Sequence, residues 1–594
     1  MHSTFHRAAS LFLTLGLALF LSACGGRDKD EDERRQNQAE QARIGEVRQA
    51  PGVTVFAANV SFRLANYADL ASISYSVAPR PGTASRPLAV SFERSWLDRR
   101  GAYDGNGRRL ELPVFGLYAA HANVVELTAR FRDGSRHAWR VEVPTGAYAG
   151  PGDIYMRPDI RLARGAAREP RFDFMLVKNG RTAPVVVDTD GHMRWTGAVL
   201  GDSIASLFGP DAFYIGSLSA PVLYRMDVGG VYGSVPLGPS PGGLNWTNFH
   251  HELAPGKVGM LAELDAQRDG VSTLESVLAE IDTEGKVLRE WDLGRIFRDH
   301  MRARGDDPSN FVRDGQDWFH MNSAIYSAAD NSLLVSSREN FVVKLDYDTG
   351  AIRWLFGDTS KHWYVNYPSL RALALRLVEG KAPIGQHSLS VTPNGELLLF
   401  NNGLGSLNTP PAAPRGATRT YSTPSRYAID EQAGTAREVW TYEAERRLFS
   451  DICSSVYEAG SGNYLVAYSA LNAHQRAPGR GRRPGQAGLR LRLPGAGLRH
   501  GVHRPAAGLD RPAAALAAAR PAAPLATHAC ITWGAAPNTP GRGRPSWPGT
   551  YSGRPPSAAR RPGGCRRRRP GRCRCWRAPV PRAPAARPAR RCCR

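Results

Sequence analysis

Residues 51–150 alternate apolar and polar positions in short runs, VTVFAANVSFRL, SISYSV, ELPVFGLYA, NVVELTARF and HAWRVEVP, parted by Gly, Pro and Asn turns. Successive side chains on a strand point to opposite faces, so this period of two predicts half-buried strands, and their spacing predicts a small β-sandwich. From about residue 151 the pattern becomes a repeated unit of apolar strand, Asp, a short gap, Gly and, in most copies, Trp. The copies are Asp188/Gly191/Trp195, Asp227/Gly230, Asp282/Gly285/Trp291, Asp346/Gly350/Trp354 and Asp430/Gly434/Trp440. Asp and Gly suit the tight turn between antiparallel strands, and the Trp would pack between neighbouring sheets. The aspartates stand 39, 55, 64 and 84 residues apart, as four-stranded blades with lengthening insertions would place them. A sixth unit starts near Ser450 and breaks off. The expected fold is all-β: a sandwich over 51–150, then a six-bladed β-propeller over 151–474 with its last blade truncated.

Three segments inside this region share a second pattern, a histidine followed by a short polar stretch and an apolar strand: His251 to Leu261, His320 to Leu334 and His387 to Leu398. Gly259 and Gly395 each follow their histidine by eight residues, and Asn331 holds the corresponding place in the second segment. Histidines at one position of successive copied units converge on a shared centre. These strands precede the Asp–Gly turns, which predicts them as inner strands of blades three, four and five, facing the axis. His250 competes with His251, and the spacing to Gly259 favours His251. Asn322 shares a strand face with His320, and Arg338 ends the next strand. With no carboxylate evidently placed beside them, these groups predict a positive pocket suited to a tetrahedral oxyanion. Imidazole can also serve there as nucleophile or as general acid and base.

Charge changes the picture at the C-terminal end. The whole chain carries +23. Residues 475–594 hold 27 Arg, no Lys, one acidic residue, 19 of the 43 Pro and no Phe, so the remainder is close to neutral at −3. A nucleic-acid partner is therefore not expected, despite the overall charge. The tail is Arg, Pro, Ala and Gly with hardly any hydrophobic period, too little apolar surface to offset chain entropy. It starts abruptly after the strand-like NYLVAYSA. The expectation is a disordered segment produced by a reading-frame shift near residues 471–476. Six of the eight cysteines lie in it without paired spacing on an ordered scaffold, so no metal site is expected there.

The first 23 residues combine Arg7 with an apolar run from Leu11 to Leu21, too short for a membrane span, and end in Leu21-Ser22-Ala23-Cys24. That ending resembles a lipobox, which implies lipidation at Cys24. Gly25 beside it leans towards the periplasmic face of an outer membrane. Residues 24–50 read as a charged linker.

Several stretches resemble the bacterial PAPS-independent arylsulfate sulfotransferases: Asp317 to Gly357, Asn248 to Glu252, Gly385 to Gly403 and Pro113 to Ala119, within a similarity over residues 51–474. The resemblance implies a sandwich followed by a six-bladed propeller and a ping-pong transfer from an aryl sulfate donor to a phenol, without nucleotide or metal. It implies His387 as the nucleophile that carries a sulfo group. His251, His320 and Arg338 would hold the sulfuryl oxygens and assist proton transfer, with Asn322 adding a hydrogen bond. The departure is the incomplete sixth blade, so the chain as written is expected to fold poorly and show little activity. Two rivals stand beside this reading: a non-enzymatic outer-membrane propeller acting as scaffold or binding module, and a metal-dependent lyase or hydrolase with the three histidines as ligands. The oligomeric state is left open, a homodimer among the options.

Overall fold

The computed structural model describes residues 44–469 except for 152, 157, 159, 161–171, 181, 210–211 and 459–463, together with the backbone of 527–531. Cys24 and its flanks lie outside these residues. Alternating patterning in the N-terminal part resolves into two four-stranded sheets. One runs in the order Ile44–Pro51, Ala57–Leu64, Arg109–Phe115, Tyr103–Asp104; the other runs Leu88–Glu93, Leu70–Val77, Ala122–Phe131, Arg136–Pro144. Their inner faces close over Val60, Phe62, Ile73, Phe92, Leu112 and Leu127. The sandwich thus begins seven residues before its expected start. Ile44–Pro51 is an edge strand with only Ile44 buried, so its polar sequence resembles a solvated linker while its backbone pairs with Ala57–Leu64.

Small sheets follow in chain order. The second, third and fourth are four-stranded: Ser206–Phe208 to Tyr232–Pro236, Asn245–Pro255 to Val287–Asp292, and Met321–Ser327 to Ile352–Phe356. Each is an up-and-down antiparallel meander, the strand pattern of a propeller blade. The fifth runs from His387–Val391 to Thr435–Thr441 and gains Arg376–Glu379 as a parallel outer strand. The first has Phe174–Asn179, Val185–Asp188 and Met193–Thr196, and the sixth has only Ser455–Glu458 and Tyr464–Ala467 among the described residues. The fold is a β-propeller behind a β-sandwich, and the sandwich core continues into the first two blades through Trp195, Phe213 and Met226.

The repeated Asp–Gly unit marks the outer hairpin of the first five blades, with Trp in all of them but the second. Asp188, Asp282, Asp346 and Asp430 each accept backbone N–H bonds from the turn that follows through Oδ1. The glycines that close these turns have φ between +61° and +89°. Each Trp then reaches towards the next blade. Trp195 stacks on Phe213 at 4.4 Å and donates to Val228 O at 2.8 Å; Trp291 donates to Tyr347 O at 3.1 Å; Trp440 stacks on Tyr464 at 4.1 Å.

One expectation is corrected. The segment after 475 was expected to carry no structure, yet Thr527–Ile531 runs parallel to Phe174–Asn179 in the first sheet. THACI is a β-prone stretch without Pro or Arg in that region, and among the described residues Phe174–Asn179 has no other strand at its inner edge.

Candidate active site

The inner strands of blades three, four and five leave regular pleating where the histidines sit. Register shifts fall between Phe249 and Leu253, between Met321 and Ser323, and between His387 and Ser390. Backbone in the left-handed region accompanies them, at His320 (φ +51°), Ser388 (φ +56°) and, at the start of blade six, Cys453 (φ +50°) and Ser454 (φ +75°). Bulges re-aim side chains, and residues held in such conformations concentrate at functional sites. The equivalent places in successive blades thereby bring His251, His320 and His387 together. The His251 ring lies 4.9 Å from that of His320 and 6.3 Å from that of His387, centroid to centroid. Gly259 and Asn331, which share one pattern position, act differently. A Cβ at Gly259 would meet Ile281 O at 2.1 Å, whereas Asn331 takes a left-handed turn at φ +52°.

His387 is 4 % exposed and its tautomer is fixed by its neighbours. Nδ1 faces two acceptors, Gly385 O at 3.0 Å and Asn402 Oδ1 at 2.9 Å. Asn402 cannot turn its amide over, because Nδ2 donates to Ser450 O at 2.8 Å and Cys453 O at 3.0 Å. The proton therefore sits on Nδ1, and the Nε2 lone pair points at the Cys453 N–H, 3.2 Å away. Burial, reinforced by the adjoining His251–His320 pair and by Arg338, holds the His387 pKa well below its ordinary value, so the ring is a neutral base.

His320 is the opposite case. Its Nδ1 lies 2.6 Å from Asp317 Oδ2 and 2.7 Å from Glu275 Oε2. Burial opposes its charge, but these two carboxylates prevail and hold its pKa up at about 9. As an imidazolium it donates from Nε2 to His251 Nε2 at 3.1 Å. Burial, with the nearby His320 charge, keeps His251 low and neutral. Glu275 would be raised by burial, yet His251 and His320 hold it far below the usual carboxylate range. Arg338 is tied to the same group through its backbone N–H, which donates to His320 O at 3.0 Å. Its Nε and Nη2 grip Glu339 Oε1 at 3.0 and 2.7 Å, while Glu339 Oε2 accepts from the Leu407 and Asn408 amides. Among the described residues no hydrogen bond reaches its Nη1.

The expected residues thus converge, with one correction. The pocket is not simply positive: Glu275, Asp317 and Glu339 partner His320 and Arg338. Asn322 lines the cavity, and its Nδ2 donates to Gln386 O at 2.8 Å, where it fixes the chain entering His387. His250 and His251 both reach Glu275, at 3.1 and 3.4 Å, but only His251 also meets His320 Nε2 and lines the cavity beside His387. That cavity, about 360 Å³ with its open mouth, is lined by His251, His387, Asn322, Ser388, Lys178 and Cys453 among others. The three histidines of the repeat do not form one ligand set. Among the described residues, the donor groups close enough to share a cation are His250, His251 and Glu275, and Glu275, Asp317 and His320.

Sequence reading missed Glu275, Asp317, Glu339, Asn402 and Lys178. Asp317 and Glu339 lie three residues before His320 and one after Arg338, so proximity was a signal for them. Asn402 sits in the NNG that ends the strand after His387. Glu275 comes from the third strand of blade three, with nothing local to mark it.

This arrangement places a neutral nucleophilic imidazole beside an imidazolium and a guanidinium, a set suited to attack on an electrophile bearing anionic oxygens. A family model described as "Arylsulfotransferase (ASST)" matches residues 162–484. The chain is 29% identical over 246 residues to the arylsulfate sulfotransferase AssT of Escherichia coli, covering 33% of this chain and 40% of that protein. It is 27% identical over 222 residues to the enzyme of the same name from Lelliottia amnigena, covering 30% and 36%. The matched region thus spans less than half the length of these curated relatives. The Myceliophteria thermophila Cps50 (Swd1) β-propeller domain aligns at 13% identity over 52% of this chain and 81% of that one, with a TM-score of 0.29, too weak to carry weight. With a family match over more than half its length, the chain belongs to the arylsulfotransferase family.

Proposed function

We infer that this protein transfers a sulfuryl group from an aryl sulfate to a phenolic acceptor in two steps, through a sulfohistidine at His387. The observation that carries this reading is the locked tautomer of His387, which leaves Nε2 unprotonated, held only by the Cys453 N–H, beside a pocket shared with His251. In the first step a bond forms between Nε2 and sulfur while the sulfur–aryl oxygen bond breaks. The electron pair leaves on the aryl oxygen, and the His320–His251 pair supplies the proton that makes it a phenol. In the second step the acceptor phenol returns that proton as its oxygen takes the sulfuryl group, restoring Nε2. Arg338 Nη1 stabilises charge on the sulfuryl oxygens. So does the Cys453 N–H, which loses its nitrogen acceptor once Nε2 is bonded. Mixing the protein with a nitrophenyl sulfate and no acceptor should release a burst of one phenol per active site and leave an acid-labile mass increase on His387. With His387→Asn both should vanish; labelling that persists in this variant would overturn the reading, and absence of any burst from the wild-type chain would favour a scaffold. We further propose lipidation at Cys24 and residence on the periplasmic face of the outer membrane, which metabolic labelling with palmitate and fractionation would test.

A further inference from the structure

We propose that His250, His251 and Glu275 form a binding site for a divalent transition metal of the zinc class, and that metal and sulfuryl donor exclude one another. Consecutive residues of a regular strand point to opposite faces. The bulge between Phe249 and Leu253 breaks that rule and turns both rings to one side, with centroids 4.2 Å apart. Each Nε2 then meets a different oxygen of one carboxylate, His250 at Glu275 Oε1 (3.1 Å) and His251 at Glu275 Oε2 (3.4 Å). The donor atoms of His250, His251 and Glu275 lie within 4.8 Å of one another; metal–ligand bonds of about 2.0–2.1 Å put the corners of a tetrahedron about 3.3 Å apart, so small side-chain rotations bring all three onto one ion.

The surroundings hold the three ligands in place. The Glu275 N–H donates to Asp265 Oδ1 at 2.7 Å, and Asp265 Oδ2 accepts from Asn248 Nδ2 at 3.0 Å, pinning the carboxylate's strand to the bulged one. Two imidazoles and one carboxylate are a borderline donor set, suited to zinc, cobalt or nickel rather than to calcium or magnesium. His250 is otherwise unused, because the transfer chemistry needs only the second histidine of the pair. Metal binding would occupy the His251 lone pair that accepts from His320 and the Glu275 oxygen that partners His320 Nδ1. Both contacts serve proton transfer, so a bound metal would stop it. This exclusion rests on the function proposed above; the metal site itself does not.

The full-length protein, stripped with chelator, should bind one equivalent of cobalt(II) with the intense visible bands of a tetrahedral ion, and one equivalent of zinc should bleach them. His250→Gln and Glu275→Gln should each abolish the bands, while His192→Gln keeps them. X-ray absorption on the wild-type cobalt form should show two imidazoles, a readout independent of any variant's folding. Absence of the bands, their survival in His250→Gln, or a ligand shell without imidazole would overturn the site. Stoichiometric zinc should also abolish the phenol burst. Zinc that binds and leaves the burst intact would overturn the exclusion alone, and a metal-free protein with no burst would refute the transferase reading while leaving the cobalt result standing.

Discussion

At the scale of single residues, Asn402 decides what His387 can do. It holds the proton on Nδ1, and replacing it with Leu should slow labelling by an aryl sulfate roughly 10²–10⁴-fold, the range seen when a proton-positioning partner is lost. Because burial keeps the His387 pKa well below 6.5, wild-type labelling should stay flat as pH falls through that value. Asn402→Asp would set a carboxylate 2.9 Å from Nδ1 and favour the imidazolium. Its labelling should therefore fall off at higher pH than the wild type, and superimposable profiles would refute the role given to Asn402. Lys361, which donates to the main chain behind Arg338, offers a second titration, read through stability. It is 1 % exposed, donates to Glu339 O at 2.9 Å, and burial lowers its pKa from 10.5 to about 8. Between these two values the unfolded chain binds a proton that the folded chain lacks, so stability from this group rises with pH across that window. Lys361→Met removes the dependence. Its stability advantage over wild type should shrink by up to about 3 kcal/mol from pH 8 to 10.5, measurable as paired urea midpoints. The repeat made the three histidines legible because copied positions share a radius. It could not reveal Glu275 or Asn402, whose importance arises only when separate strands meet.

At the scale of elements, local chemistry announced the outer hairpins better than the inner strands. An Asp that caps a turn and a glycine at positive φ are demanded by the turn itself, so the sequence shows them directly. The bulges that aim His251, His320 and His387 depend on pairing with the next strand, and no residue pattern marks them. The same asymmetry explains the misplaced start of the sandwich: an edge strand buries little, so Ile44–Pro51 carries no apolar period. The Trp of the repeat links one blade to the next, and Trp291 tests this most cleanly. It is 3 % exposed and donates across the blade boundary to Tyr347 O. Trp291→Ala should cost about 3–5 kcal/mol, as expected for emptying a buried aromatic site. A loss under 1 kcal/mol in chemical denaturation would mean the blades are held by their backbones and loops instead.

At the scale of the molecule, the sixth blade joins the ring to the chemistry. On one side Phe400 of blade five packs with Val456 and Tyr464; on the other, Leu465 joins the core of blade one beside Val177 and Val187. The loop entering this blade supplies Ser450 O and Cys453 O to Asn402 and the Cys453 N–H to His387. Slack in this blade is therefore felt at His387, through one hydrogen-bonded amide. Two described strands carry a position that the second, third and fourth blades fill with four, and Thr527–Ile531 pairs parallel with blade one. A meander that returned from a completed sixth blade would supply an antiparallel strand at that edge, with the ladder bonds of the other blades. If the Arg- and Pro-rich composition after 475 reflects a shifted reading frame, a frame-restored chain regains those strands and stiffens the loop at 450–455. Expressed side by side, the restored chain should melt at a higher temperature and show a faster phenol burst than the chain as written. Equal melting and equal bursts would instead show that two strands suffice for the sixth blade and that the basic tail belongs to the protein.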